Sequence, residues 1–136
     1  MSTKTKSAPP TGFPPLDSEP LIRTIAQTCV DKLGENIRVL DLRGVVGYTD
    51  AVVIVSGNNV RQLLAIAEQI QRDVRKAFKK RPASLEGQSG SSWICMDYGD
   101  VIVHVFYGPA RAYYDVDHLW PEARDVSEEM VSYPDE

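Results

Sequence analysis

The stretch Ala51-Val52-Val53-Ile54-Val55 constrains the fold more than any other part of the chain. Successive side chains of a strand point to opposite faces, so a strand that is apolar at every position needs cover on both sides. Such a strand belongs at the centre of a sheet with helices packed on it. The 136 residues, 43% of them hydrophobic, suffice for one such core.

The surrounding pattern supplies the helices and the other strands. Ser18 stands where it can cap a first helix, with Glu19 and Pro20 in its first turn. Leu21, Ile22, Ile25, Ala26, Cys29, Val30 and Leu33 recur on one helical face, and Gly34 closes the helix. Ile37–Leu42 reads as a strand. Asn59 is placed to cap a long second helix whose buried stripe is Val60, Leu63, Leu64, Ala67, Ile70, Val74 and Phe78, ended by Arg81-Pro82. A short strand is expected near Ala83–Glu86, then a Gly/Ser loop at Gly87–Ser91. Ser92–Phe106 reads as a hairpin turning at Tyr98-Gly99, with Met96 opposite Val101, Ile94 opposite Val103 and Trp93 opposite His104. One hairpin face is then aliphatic (Ile94, Met96, Val101, Val103, Val105), and the other carries Trp93, Cys95, Ile102, His104 and Phe106. A helical turn runs to Leu119-Trp120.

The expected order is α-β-β-α-β-β-β-α, an α/β sandwich with a mixed sheet. The link from the Ala51 strand through the long helix is long enough for a parallel crossover. The proline-rich residues 1–17 read as a disordered leader, 18–121 as the folded domain, and 122–136 as a solvated acidic tail.

The net charge of −4 argues against a general nucleic-acid binder. It is unevenly distributed. Residues 58–82 hold seven basic side chains against Glu68 and Asp73, whereas residues 111–136 hold eight acids against Arg111 and Arg124. Such polarity can steer a charged partner, and it also fits an ordinary solvated helix followed by an acidic end. Cys29 and Cys95 are too few and too far apart for a disulfide framework or a zinc site. No stretch approaches a membrane span, and Met1–Pro15 lacks the apolar core of a secretory signal, so a cytoplasmic location is expected.

No catalytic constellation stands out. Ser56-Gly57-Asn58-Asn59 between a strand and a helix could offer backbone N–H groups to an anion, but it is neither a Walker loop nor a dinucleotide fingerprint. A small metal-dependent nucleotidyltransferase is the enzyme alternative. It would need carboxylates that converge, and Glu86, Asp97 and Asp100 are scattered. Cys95 and His104 share a hairpin face diagonally, but the thiol lies among apolar and acidic residues rather than near positive charge. The residues alone leave the Trp93 face open between a helix-covered surface and an aromatic partner surface.

Longer motifs carry a resemblance. Leu40-Asp41-Leu42-Arg43-Gly44, Tyr48-Thr49-Asp50, Val53-Ile54-Val55-Ser56-Gly57 and Leu85-Glu86-Gly87 occur in order. Trp93, the run Asp97-Tyr98-Gly99-Asp100-Val101-Ile102-Val103-His104-Val105-Phe106, Arg111, Tyr114-Asp115 and Leu119-Trp120 follow. This ordered set, over about residues 20–121, resembles the ribosomal silencing factor family, also called iojap-like. Ala51 and Asn58-Asn59 depart from its more usual residues. The resemblance implies a nucleotidyltransferase-like fold without the enzyme's acids, and no cofactor or metal. It implies a protein that binds the large ribosomal subunit through ribosomal protein L-fourteen, blocks subunit joining and is a homodimer when free. It also implies a contact surface of Trp93, Asp97, Tyr98, Asp100, His104 and Phe106, and so favours the partner-surface reading. Sequence-specific nucleic-acid binding is not expected.

Overall fold

A computed structural model describes residues 16–87 and 91–134. The elements are α1 (Glu19–Asp31), β1 (Glu35–Asp41), β2 (Ala51–Gly57), α2 (Val60–Phe78), β3 (Ser84–Glu86), β4 (Trp93–Asp97) and β5 (Val101–Tyr107). They are followed by α3 (Gly108–Tyr114), a 3-10 turn (Val116–His118), β6 (Arg124–Asp125) and α4 (Ser127–Met130). Among the described residues, six strands form one mixed sheet in the order β3-β4-β5-β2-β1-β6. The central neighbours β2 and β5 are parallel, and the other neighbours are antiparallel. All seven residues of β2 are buried, as an apolar strand at a sheet centre requires.

Two cores lie on the two faces. The larger, under α1 and α2, gathers Val39, Val53, Val55, Ile94, Met96, Val101, Val103 and Val105. The smaller gathers Leu40, Leu42, Val52, Ile54, Phe106 and Val116, with Trp93, Ile102 and Trp120 packed at its margin. The α2 crossover carries the chain from β2 past β5 and β4 to β3 at the sheet edge, and the pairings make β3 parallel to β2.

The hairpin register differs from expectation by two residues. Met96 lies opposite Val103, Ile94 opposite Val105, Cys95 opposite His104 and Trp93 opposite Phe106. The loop is Gly99-Asp100, closed by the Tyr98 N–H donating to the Val101 carbonyl at 2.9 Å. Gly99 has φ +88° at the first loop position, where glycine has no steric penalty, and its N–H donates to Asp97 Oδ1 at 2.8 Å. A slide of two preserves every side chain's face, so the aliphatic and aromatic faces are composed as expected.

The helix ends depart from expectation too. Ser18 sits before α1 but makes no capping bond, and its buried Oγ is without a partner. Leu33, assigned to the buried stripe, is 75% exposed and takes the left-handed conformation at φ 63°. Gly34 N–H donates to Cys29 O at 2.7 Å and Leu33 N–H to Val30 O at 3.0 Å, the two bonds of a Schellman ending. Gly34 is needed for close approach rather than for φ: a Cβ there would lie 2.5 Å from Val55 Cγ2. In α2, Asn59 Oδ1 does accept from Gln62 N–H at 2.8 Å. That helix ends at Phe78, before Arg81-Pro82; Ile66 joins its buried face and Val60 is exposed.

The segment expected as a solvated tail adds two elements. β6 pairs with β1, and Val126 and Met130 are buried in the larger core. Four residues apart, they point inward while Glu122, Asp125 and Glu128 face water. Val39 N–H donates to Ser127 Oγ at 2.8 Å, tying the tail to β1. Leu16, expected in the leader, is buried as well. The rest of the leader, residues 1–15, and the middle of the Gly/Ser loop, 88–90, lie outside the described residues.

Candidate functional site

The hairpin's outer face carries Trp93, Cys95 and Asp97 from β4 and Ile102, His104 and Phe106 from β5. Alternation places them there, and α3 with the 3-10 turn covers the β2 side of this face. Trp93, Cys95, Ile102 and His104 remain half-buried, while Phe106 is fully buried beneath them.

Trp93 is held on several sides. It stacks on Phe106 with ring centroids 4.9 Å apart and meets Tyr114 of α3 at 4.7 Å. Tyr113, 81% exposed, meets Tyr114 edge-on at 5.1 Å. Trp93 Nε1–H donates to His104 Nδ1 at 3.0 Å. A ring nitrogen that accepts must be unprotonated, so His104 is the neutral Nε2–H tautomer. Burial pushes its pKa down from 6.5 to about 4, which keeps that hydrogen bond in place at neutral pH. The result is a half-exposed aromatic platform in which the Trp93 indole N–H and His104 Nδ1 satisfy each other.

The six residues expected at the contact do not all meet. Trp93, Asp97, His104 and Phe106 share the outer face. Tyr98 continues the inward series Ile94, Met96 and lies in the larger core at 4% exposure. Its hydroxyl is buried without a partner, and burial pushes its pKa up to about 12. Asp100 is exposed at the loop, where its carbonyl accepts the Asp50 and Ala51 N–H groups at 3.0 and 3.2 Å. Tyr113 and Tyr114 join the platform; Tyr114 belongs to the motifs that carry the resemblance, but neither tyrosine was expected at the contact. Two adjacent tyrosines in a short helix after Pro109 were the available signal.

Nucleophile chemistry is not supported on this face. Cys95 lies directly opposite His104 rather than diagonally. Burial chiefly, then Glu86 and Asp97, raise the thiol pKa, while the imidazole pKa is lowered and its Nδ1 already accepts from Trp93.

A cleft of about 840 Å³ opens elsewhere, at the C-terminal ends of β2 and β5. Its basic groups are already engaged. Arg111, 8% exposed, donates to both Asp117 carboxylate oxygens at 2.9 and 2.8 Å, to Asn36 O at 2.6 Å and to Ser56 Oγ at 2.9 Å. Arg38 adds a 3.1 Å bond to Asp117. The Arg111 hydrogen bonds, foremost, hold the Asp117 pKa down to about 2. At the start of α2, Asn58 N–H donates to Gln62 Oε1 at 2.6 Å and Gln62 N–H is capped by Asn59. The groups named for the nucleotidyltransferase alternative do not converge. Ser56–Asn59 follows the Gly57 end of β2, whereas Asp97 and Asp100 flank the Val101 end of β5. Six residues of strand separate the two ends, about 20 Å.

The family profile described as "Ribosomal silencing factor during starvation" matches residues 15–136. The chain belongs to the ribosomal silencing factor family. A ribosomal silencing factor of Bacillus subtilis is 33% identical over 108 residues, covering 79% of this chain and 91% of that protein. A mouse protein named "Mitochondrial assembly of ribosomal large subunit protein 1" is 32% identical over 76 residues, covering 54% of this chain and 33% of its own length. The crystal structure of a Chromobacterium violaceum protein superimposes with a TM-score of 0.74 at 24% identity, over 88% of this chain and 92% of that one, and is a likeness of fold. Ribosomal silencing factors are ribosome-associated regulators of translation, which sets the role of this chain. No helix among its described residues is long and apolar enough to cross a membrane.

Proposed function

We propose that this protein docks on the large ribosomal subunit through ribosomal protein L-fourteen and blocks subunit joining by occupying that surface. The observation that carries the reading is the pair Trp93 and Tyr114, partly exposed on a sheet face over the buried Phe106, with Trp93 locked by its hydrogen bond to His104. Rigid aromatic anchors ringed by polar groups are the usual composition of a binding hot spot. Trp93, Tyr113, Tyr114 and His104 form the contact, and Asp97 and Asp100 form an acidic rim that meets basic groups on the partner. Phe106 and Tyr98 support the contact from within.

On this reading the protein acts by steric exclusion in the cytoplasm, without catalysis, cofactor or metal. Its frame is nucleotidyltransferase-like, with the cleft at the ends of β2 and β5 closed to chemistry by the Arg111–Asp117 network. The free protein is a homodimer. A subunit-joining assay on sucrose gradients tests the function. Added protein should shift material from joined ribosomes to free subunits; an unchanged profile at saturating protein would reject steric exclusion.

A further inference from the structure

The strongest feature outside the platform is a groove between α2 and the edge strand β3. One part of it, about 430 Å³, is lined by Arg72, Arg75, Lys80 and Arg81. It runs into a second part of about 310 Å³ floored by Leu64, Ala67 and Leu85, and Leu85 belongs to both.

Most of the cations here differ from three arginines elsewhere in the chain. Arg38, Arg43 and Arg111 each face an aspartate. Among the described residues, Arg75, Lys76, Lys79, Lys80 and Arg81 form no ion pair, in a chain with 19 acids available to pair them. Arg75 and Lys76 lie in the last turn of α2, where the helix dipole favours positive charge. Lys79, Lys80 and Arg81 lie beyond it. Asp73 accepts hydrogen bonds from Thr28 and Gln69, and Glu68, which lines both parts of the groove, pairs with Arg72 at 3.9 Å.

We propose that this groove takes the phosphodiester backbone of structured RNA. A partner with one negative charge per repeat engages Arg75, Lys80 and Arg81 of the groove and their chain neighbour Lys79 together, and counterion release supplies the affinity. Among the described residues the groove lining contains no aromatic side chain for base stacking, so contacts are to the backbone and independent of sequence. The proposal deepens the ribosomal reading and rests on it for the source of RNA: the protein platform and the RNA groove are two separate grips on one subunit.

The test compares the full chain with the variant Arg75→Gln/Lys79→Gln/Lys80→Gln/Arg81→Gln, whose melting temperature should match wild type. The probes are purified large ribosomal subunits, a 20-base-pair RNA duplex and polyglutamate of equal charge. Removing four phosphate contacts should lower the slope of log affinity against log salt by about 3. Between 50 and 200 mM salt, wild type should therefore lose about 60-fold more affinity for subunits than the variant does. The duplex should bind wild type and not the variant. Equal salt slopes for the two proteins on subunits, or polyglutamate competing better than the duplex, would overturn the proposal. If wild type fails to bind subunits at all, the ribosomal reading falls, and the duplex arm alone decides the groove.

Discussion

Acid should loosen the aromatic platform at a pH set by His104. In the unfolded chain this imidazole titrates near 6.5, and in the fold near 4 because it is buried. The unfolded state therefore binds the proton more readily between those values. The stabilisation is fully present above about pH 6.5 and is lost as pH falls through about 4. Lowering pH from 7 to 5 should cost about 2 kcal/mol through this residue, and the complete shift is worth about 3 kcal/mol. Protonating Nδ1 would also remove the acceptor of the Trp93 indole N–H. Urea unfolding at both pH values, on wild type and His104→Gln, isolates the effect, since the glutamine amide oxygen can accept from Trp93 and does not titrate. The stability loss between pH 7 and 5 should be about 2 kcal/mol smaller in the variant. NMR titration reads the same group directly. A His104 pKa near 6.5 in the folded protein, or equal pH slopes for the two proteins, would refute the reasoning.

Two other substitutions probe the frame by urea unfolding. Gly34→Ala should destabilise by about 2 kcal/mol, because the added carbon would lie 2.5 Å from Val55 Cγ2 and 3.0 Å from the Cys29 carbonyl oxygen. An unchanged midpoint would show that the α1–β1 corner yields freely. Arg111→Met should cost about 3 kcal/mol by leaving Asp117 without its main partner. It should also raise the Asp117 pKa from about 2. In wild type the Asp117 contribution is present above about pH 3.8 and is lost as pH falls towards 2, so the variant should show a shallower acid dependence in that window.

The centre of this fold was legible in the residues. Five apolar positions in a row at 51–55 demanded a doubly covered strand, and the two compositions of the hairpin faces survive a register slide of two. The register itself was not legible, because the Tyr-Gly turn signal is weak and the loop is Gly99-Asp100. The tail was misread through its charge: six acids at 122–136 obscured the pair Val126 and Met130, which binds it to the core. For the site, Trp93 and His104 were readable from alternation. Tyr98 was readable too, since it continues the inward positions Ile94 and Met96, but the resemblance placed it beside Trp93. Tyr114 depends on how α3 folds back over β5, a tertiary contact that no local pattern encodes.

Docking through the open sheet face is tested most directly by sedimenting large ribosomal subunits with wild type and with Trp93→Ala/Tyr114→Ala. Both substituted side chains are partly exposed, so circular dichroism should confirm that the variant keeps its fold. The folded variant should stay at the top of the gradient while wild type travels with the subunits. Co-sedimentation of the folded variant at wild-type levels would place the contact elsewhere on the protein.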